Sequence, residues 1–149
     1  MKTNFNKLGL FLAVSFIGGI ASVCAVSAEN AVTDADKTFV KSLKKAVGAD
    51  DVKYVENAVS FPLRITHNHY VEGVGYKRDK TEYIKTKEEF VAHYNDIFSA
   101  DVKSAVLAQS AGKLNKSYEG LMIGRNGNVW VRPAGDNSAP HIVVVNIIN

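Results

Sequence analysis

Few residues in this chain have the types and spacing for chemistry, and the most suggestive lie in one short run. His67-Asn68-His69 places two imidazoles two residues apart. On a strand, positions i and i+2 share a face, so the pair suits two ligands of one metal ion. A metal centre also needs a third ligand, and no HExxH, paired-cysteine or EF-hand spacing supplies it. His93, His141, Glu72 and Asp79 are scattered through the chain without such a pattern. The two histidines therefore read as a polar strand end entering a solvated loop, and no metal or other cofactor is expected. His93 with Asp96 is a second acid–base combination of the kind general catalysis uses. The apolar stripe of its helix, set by Phe90, Val91, Tyr94, Ile97 and Phe98, leaves that pair at the solvent edge.

Other candidates are residues suited to binding. Tyr54, Tyr94, Tyr118 and Trp130 carry aromatic faces with polar tips, which either line a small-molecule pocket or fill a small core. Arg64 and Arg132 sit on strands, where a guanidinium can clamp a carboxylate or phosphate or guard a sheet edge. Asn146 interrupts an apolar run and, if buried, needs hydrogen-bond partners or faces a pocket. Gly120, Gly124 and Gly127 punctuate a hairpin and form no strand-to-helix phosphate loop. No nucleophile-elbow signature is present. The sequence thus names no catalytic residue.

The elements that must position these residues are organised around Tyr118–Pro133. Two apolar runs flank Asn126-Gly127, a pair suited to a type I′ turn in which both central residues take positive φ. That turn sets Gly124 against Val129, Ile123 against Trp130, Met122 against Val131 and Leu121 against Arg132. Leu121, Ile123 and Trp130 then share one face, and Met122, Val129 and Val131 share the other. Both faces are apolar. The helices can cover only one, so Met122, Val129 and Val131, with Val143 or Val145, are expected at an interface with a second copy or another protein.

Upstream, Thr33 or Asp34 caps a helix to about Val47, with Phe39 and Leu43 on its apolar face. Asp50 and Asp51 open a shorter helix that Pro62 stops at Phe61. Leu63, Ile65 and His67 alternate with Arg64, Thr66 and Asn68 as a strand, and Thr81–Ile84 returns from a turn near Gly73 and Gly75. Thr86-Lys87-Glu88-Glu89 is a capping box opening the strongest helix, to Phe98. A short helix spans about Asp101–Gln109, and Ser110–Lys116 links it to the hairpin. Pro133–Pro140 is a loop, and His141–Asn149 reads as an interior strand, apolar on both faces.

The first residues read as a leader. Lys2 and Lys7 precede an uncharged apolar run, Leu8–Val26, and Val26-Ser27-Ala28 gives a small-residue cleavage site before Glu29. Lipidation at Cys24 is disfavoured by Val23, and Gly18-Gly19 favours cleavage over a retained anchor. The expected domains are a signal peptide, residues 1–28, and one domain, residues 29–149, periplasmic or secreted. Cleavage removes two lysines and no acid, so 18 basic against 15 acidic residues becomes 16 against 15. No basic stripe remains for nucleic acid. The single cysteine leaves with the leader, so neither disulfide nor thiol nucleophile is expected.

The order of elements is α+β. Phe61-Pro62-Leu63-Arg64-Ile65 after a helix, Thr-x-x-Glu-Phe at Thr86–Phe90 leading to Tyr94-x-x-Ile97-Phe98, and Gly120-x-Met-Ile-Gly-x-x-Gly-x-Val-Trp130 before a strand ending in Asn form a recognisable set. Together they resemble secreted bacterial members of the nuclear-transport-factor-2-like (cystatin-like) superfamily. The resemblance implies a curved, mixed, mostly antiparallel sheet wrapped around a long helix as a cone with an internal pocket. It does not fix an activity. The expected role is a non-enzymatic binding or interaction module, taking a small apolar or anionic ligand in the pocket or a protein on the sheet face. Two alternatives are a lyase, isomerase or hydrolase using a titratable residue inside the cone, and a periplasmic immunity or inhibitor protein against a cell-wall-degrading enzyme.

Overall fold

A computed structural model describes residues 31–133 and 139–148. The expected leader, its cleavage site and Cys24 lie outside these residues. Among the described residues five helices and six strands follow in the order α1 (Asp34–Gly48), α2 (Val52–Asn57), β1 (Val59–Val71), β2 (Gly75–Ile84), α3 (Lys87–Ala92), α4 (Tyr94–Ile97), α5 (Ala100–Ala108), β3 (Asn115–Ser117), β4 (Gly120–Ile123), β5 (Val129–Pro133) and β6 (Pro140–Ile148). The fold class is α+β.

Local chemistry sets the helix starts. The Thr33 hydroxyl accepts from the Asp36 N–H while Asp36 takes the Thr33 N–H, a reciprocal cap on α1. Asp51 accepts from the Tyr54 N–H to open α2. Thr86 accepts from the Glu89 N–H on α3, but Glu89 reaches back to the Lys85 N–H, one residue before the expected partner. The helix expected to run unbroken to Phe98 divides at His93, whose φ of −110° and ψ of 15° leave helical geometry. It caps both pieces: its N–H donates to the Glu89 and Phe90 carbonyls, and its own carbonyl accepts from Asp96 and Ile97. The apolar stripe otherwise stands, with Phe90, Tyr94, Ile97 and Phe98 buried, whereas Val91 is exposed. Among the described residues the longest helix is α1 instead.

The sheet runs β2-β1-β6-β5-β4-β3, antiparallel throughout except for the parallel pair β1–β6. Its central position goes to β6, the apolar run read as an interior strand. The hairpin register differs by one residue from expectation. Ile123 opposes Val129, Met122 opposes Trp130 and Leu121 opposes Val131. The reason lies in the turn: the Gly127 N–H donates to the Gly124 carbonyl at 3.1 Å, so Arg125 and Asn126 are the central residues. Asn126 does not take positive φ, while Gly124 (+85°) and Gly127 (+67°) do. A five-residue loop built around a turn replaces the two-residue one.

This slip moves a whole set of side chains. Leu121, Ile123, Val129 and Val131 all face the helices and are at most 1% exposed. With Ile142, Val145, Leu63 and Ile65 they form the sheet's contribution to the core, against Phe39, Val40 and Leu43 of α1 and Val102 and Val106 of α5. Val129 and Val131 are therefore core residues and not interface residues, and so is Val145. The opposite face carries Met122, Trp130 and Val144 in register, with Arg64 and Tyr83 beyond them.

Candidate functional site

The inward face of β1 changes character along its length. Leu63 and Ile65 lie under the helices, fully buried. The next inward position is His67, which is only partly covered. Its neighbours on β2 follow the same course: Ile84 opposes Leu63, Glu82 opposes Ile65 and Lys80 opposes His67. Where the sheet leaves the main helical layer, the α3–α4 junction hangs over this polar segment. Between them is a cleft of about 220 Å³, lined by Ile65, Ile84, Ile97 and Ile147 and by His67, Glu82, Glu89, His93 and Asp96.

Two histidine–carboxylate pairs edge this cleft. His67 Nε2 lies 2.8 Å from Glu82 Oε1, with side chains 26% and 39% exposed. Glu82 Oε2 also takes the Lys80 ammonium at 2.6 Å. Lys80 first, then His67, hold the Glu82 carboxyl below its ordinary range, against a smaller opposing effect of burial. On the helical side His93 Nδ1 stands 3.5 Å from Asp96 Oδ2, both well exposed. Glu89 anchors one oxygen on the Lys85 N–H at 2.7 Å. A third pair, His69 Nδ1 with Asp79 Oδ1 at 2.7 Å, continues along the hairpin beyond the cleft. His67 and His69 thus engage separate carboxylates and do not converge. Among the described residues no group of three or more histidines, cysteines or carboxylates is placed to hold a metal.

The residues read from the sequence as pocket candidates do not meet in one place. Tyr94 is 3% exposed and belongs to an aromatic core cluster, stacked on Phe98 at 5.4 Å and edge-on to Phe90. Burial, helped by the Asp50 and Asp51 carboxylates, pushes its hydroxyl up to about 12. That hydroxyl has no hydrogen-bond partner among the described residues. Tyr54 is partly exposed beside a separate groove with Phe39, Pro140 and His141. Tyr118 stands in solvent on the turn between β3 and β4. Arg64 and Trp130 share the face away from the helices, and Arg132 donates through Nε to the Glu119 carbonyl at 3.2 Å. Asn146 donates to the Gly127 carbonyl at 2.7 Å and so ties the hairpin turn to the central strand. It has the partner that a half-buried amide needs.

Sequence reasoning passed over His67, Glu82, Glu89, His93 and Asp96 as a group. One signal for them exists in the sequence, the period-two succession Leu63, Ile65, His67 on one face. Glu82 and Glu89 gave none, because they meet His67 only through the β1–β2 register and the break at His93.

The chain matches no family model, no curated protein and no solved structure. What it can do must therefore be read from the cleft.

Proposed function

We propose that this protein is an exported binding module of the cone-shaped α+β kind, taking a small ligand into the cleft between β1, β2, β6 and the α3–α4 junction. The observation that carries this reading is the composition of the cleft wall. Four isoleucines supply apolar surface, and five hydrogen-bonding side chains gather on its polar side. That is the usual make-up of a small-molecule site, though the volume lies below the ordinary range of roughly 300–1,000 Å³. The lining holds no hydroxyl, thiol or amine, and its titratable groups are carboxylates and imidazoles. The cone and its expected long helix rest on the sequence resemblance. The mixed sheet with helices packed on one face is compatible with it.

Two-dimensional NMR of the histidine ring signals under a fragment library tests the proposal. Binding should shift His67 and His93 together, and Ile97→Trp, which fills the cleft, should abolish the shifts. If fragments move the Trp130 indole signal and leave both histidines still, the site lies on the other face of the sheet.

One observation favours a second reading. The 2.8 Å contact between His67 Nε2 and Glu82 orients the imidazole as a general base requires, leaving Nδ1 for a proton of the ligand. This would make the cleft the seat of a proton-transfer enzyme. Deuterium uptake from D2O into a bound carbonyl compound, lost in His67→Gln, would establish it. Binding without exchange would leave the non-enzymatic role.

A further inference from the structure

The charge of the cleft narrows what it can take. Resting on the small-ligand reading above, we infer that its ligand is a small organic cation, an ammonium or amidinium on a short aliphatic body.

Three carboxylates line the cleft, Glu82, Glu89 and Asp96. Lys80 sits on Glu82 at 2.6 Å and neutralises it. No lysine or arginine pairs with Glu89 or Asp96 among the described residues. Glu89 commits one oxygen to the Lys85 backbone N–H, and that oxygen and its twin keep lone pairs for another donor. Glu89 and Asp96 thus bring two carboxylates with no lysine or arginine partner to a cleft that four isoleucines also line, Asp96 having only His93 beside it at 3.5 Å. No lysine or arginine is part of the wall, so an anion would meet three carboxylates with only imidazole N–H groups to pair it. The two arginines read as anion clamps, Arg64 and Arg132, lie elsewhere. A neutral apolar ligand would bury against the isoleucines but offer no donor to the free lone pairs of Glu89. A cation with an alkyl tail satisfies both sides of the wall. The volume, about 220 Å³, equals roughly seven water molecules and fits a chain of about five carbons with one charged head.

The experiment compares three probes of one length, n-pentylammonium, n-pentanol and n-pentanoate, by titrating the full exported chain and following the His67 and His93 ring signals. Pentylammonium should bind roughly tenfold or more tighter than pentanol, and pentanoate should not bind, because charge-assisted hydrogen bonds distinguish the heads. Glu89→Gln keeps an acceptor for the Lys85 N–H and should remove most of that preference. Asp96→Asn, at a well-exposed position that does not threaten folding, should lower the preference by a smaller factor. If pentanol or pentanoate moves both histidine signals and binds as tightly as pentylammonium, the cleft stands as a ligand site and its cation preference is overturned. If none of the three moves either histidine, the small-ligand reading falls with it. An unchanged preference in both Glu89→Gln and Asp96→Asn would also overturn the inference.

Discussion

The two halves of the sheet use the same architecture to different ends. In the β4–β5–β6 half every inward position is aliphatic, and Leu121, Ile123, Val129, Val131, Ile142 and Val145 are at most 1% exposed. The close fit extends to the backbone. A Cβ at Gly120 would collide with the Val131 carbonyl oxygen, and one at Gly124 would lie 2.5 Å from Asn128 Oδ1. In the β1–β2 half the inward positions pass from Leu63 and Ile65 to His67 and His69, and each histidine is met by a carboxylate. The first half is packed for stability. The second presents polar groups beside an apolar wall, the arrangement on which the proposed binding cleft rests.

Substitutions should sort by half. Val131→Glu carries the largest expected effect, because it buries an unpaired carboxylate in the dry half. A loss of about 4 kcal/mol or more, enough to unfold the domain in a chemical-denaturation experiment, is expected. Trp130→Glu, one residue along on the opposite face, should leave the far-UV circular dichroism unchanged. A folded Val131→Glu variant would show that the observed register is wrong. Gly120→Ala comes next, at about 2–4 kcal/mol, since φ of +130° and the facing carbonyl both exclude a side chain.

Lys116→Met is expected to cost about 2–3 kcal/mol. Lys116 reaches Asp36 at 2.9 Å in a pair whose side chains are 10% and 4% exposed, and the substitution strands the carboxylate. This pair also sets a pH dependence. Burial works against ionised Asp36, but the Thr33 N–H, the Lys116 ammonium and the Thr33 hydroxyl outweigh it and hold the carboxyl below its ordinary 3.8. A lowered folded-state value means the contribution is present above the unfolded value and lost as pH falls below it. Denaturation midpoints should therefore drop below about pH 4 in the natural protein, and drop less steeply in Asp36→Asn.

The smallest effects belong to the open half. His67→Ala and Glu82→Gln should each change stability by under about 1 kcal/mol, because both side chains are partly solvated. A larger loss in either would mean that the open half is structural too, and would erase the contrast between the halves.

How much of this could be read in advance follows the same division. Helix starts at Thr33, Asp51 and Thr86 were legible because capping is decided within four residues. The apolar run of β6 marked an interior strand correctly. The hairpin register was not legible, since Asn126-Gly127 suits a two-residue turn and nothing local announces that Gly124 closes a wider one. The three-residue strand Asn115-Lys116-Ser117 carries no apolar signal, and it appears only because β4 offers it an edge. The break at His93 falls where Phe90, Tyr94, Ile97 and Phe98 keep a helical spacing right across it. The cleft was least legible of all. Its residues come from β1, β2, α3, α4 and β6, and only the register and that break bring them together.

The central place of β6 also bears on how the domain comes into being. β1 and β2 can pair as soon as they are made, and so can β4 and β5, but nothing joins the two ribbons until β6 slides between β1 and β5. Without Pro140–Ile148 the two ribbons would share no strand pairing, and each would keep an unpaired inner edge. Completion of the sheet therefore waits on β6, which follows every other described strand in chain order.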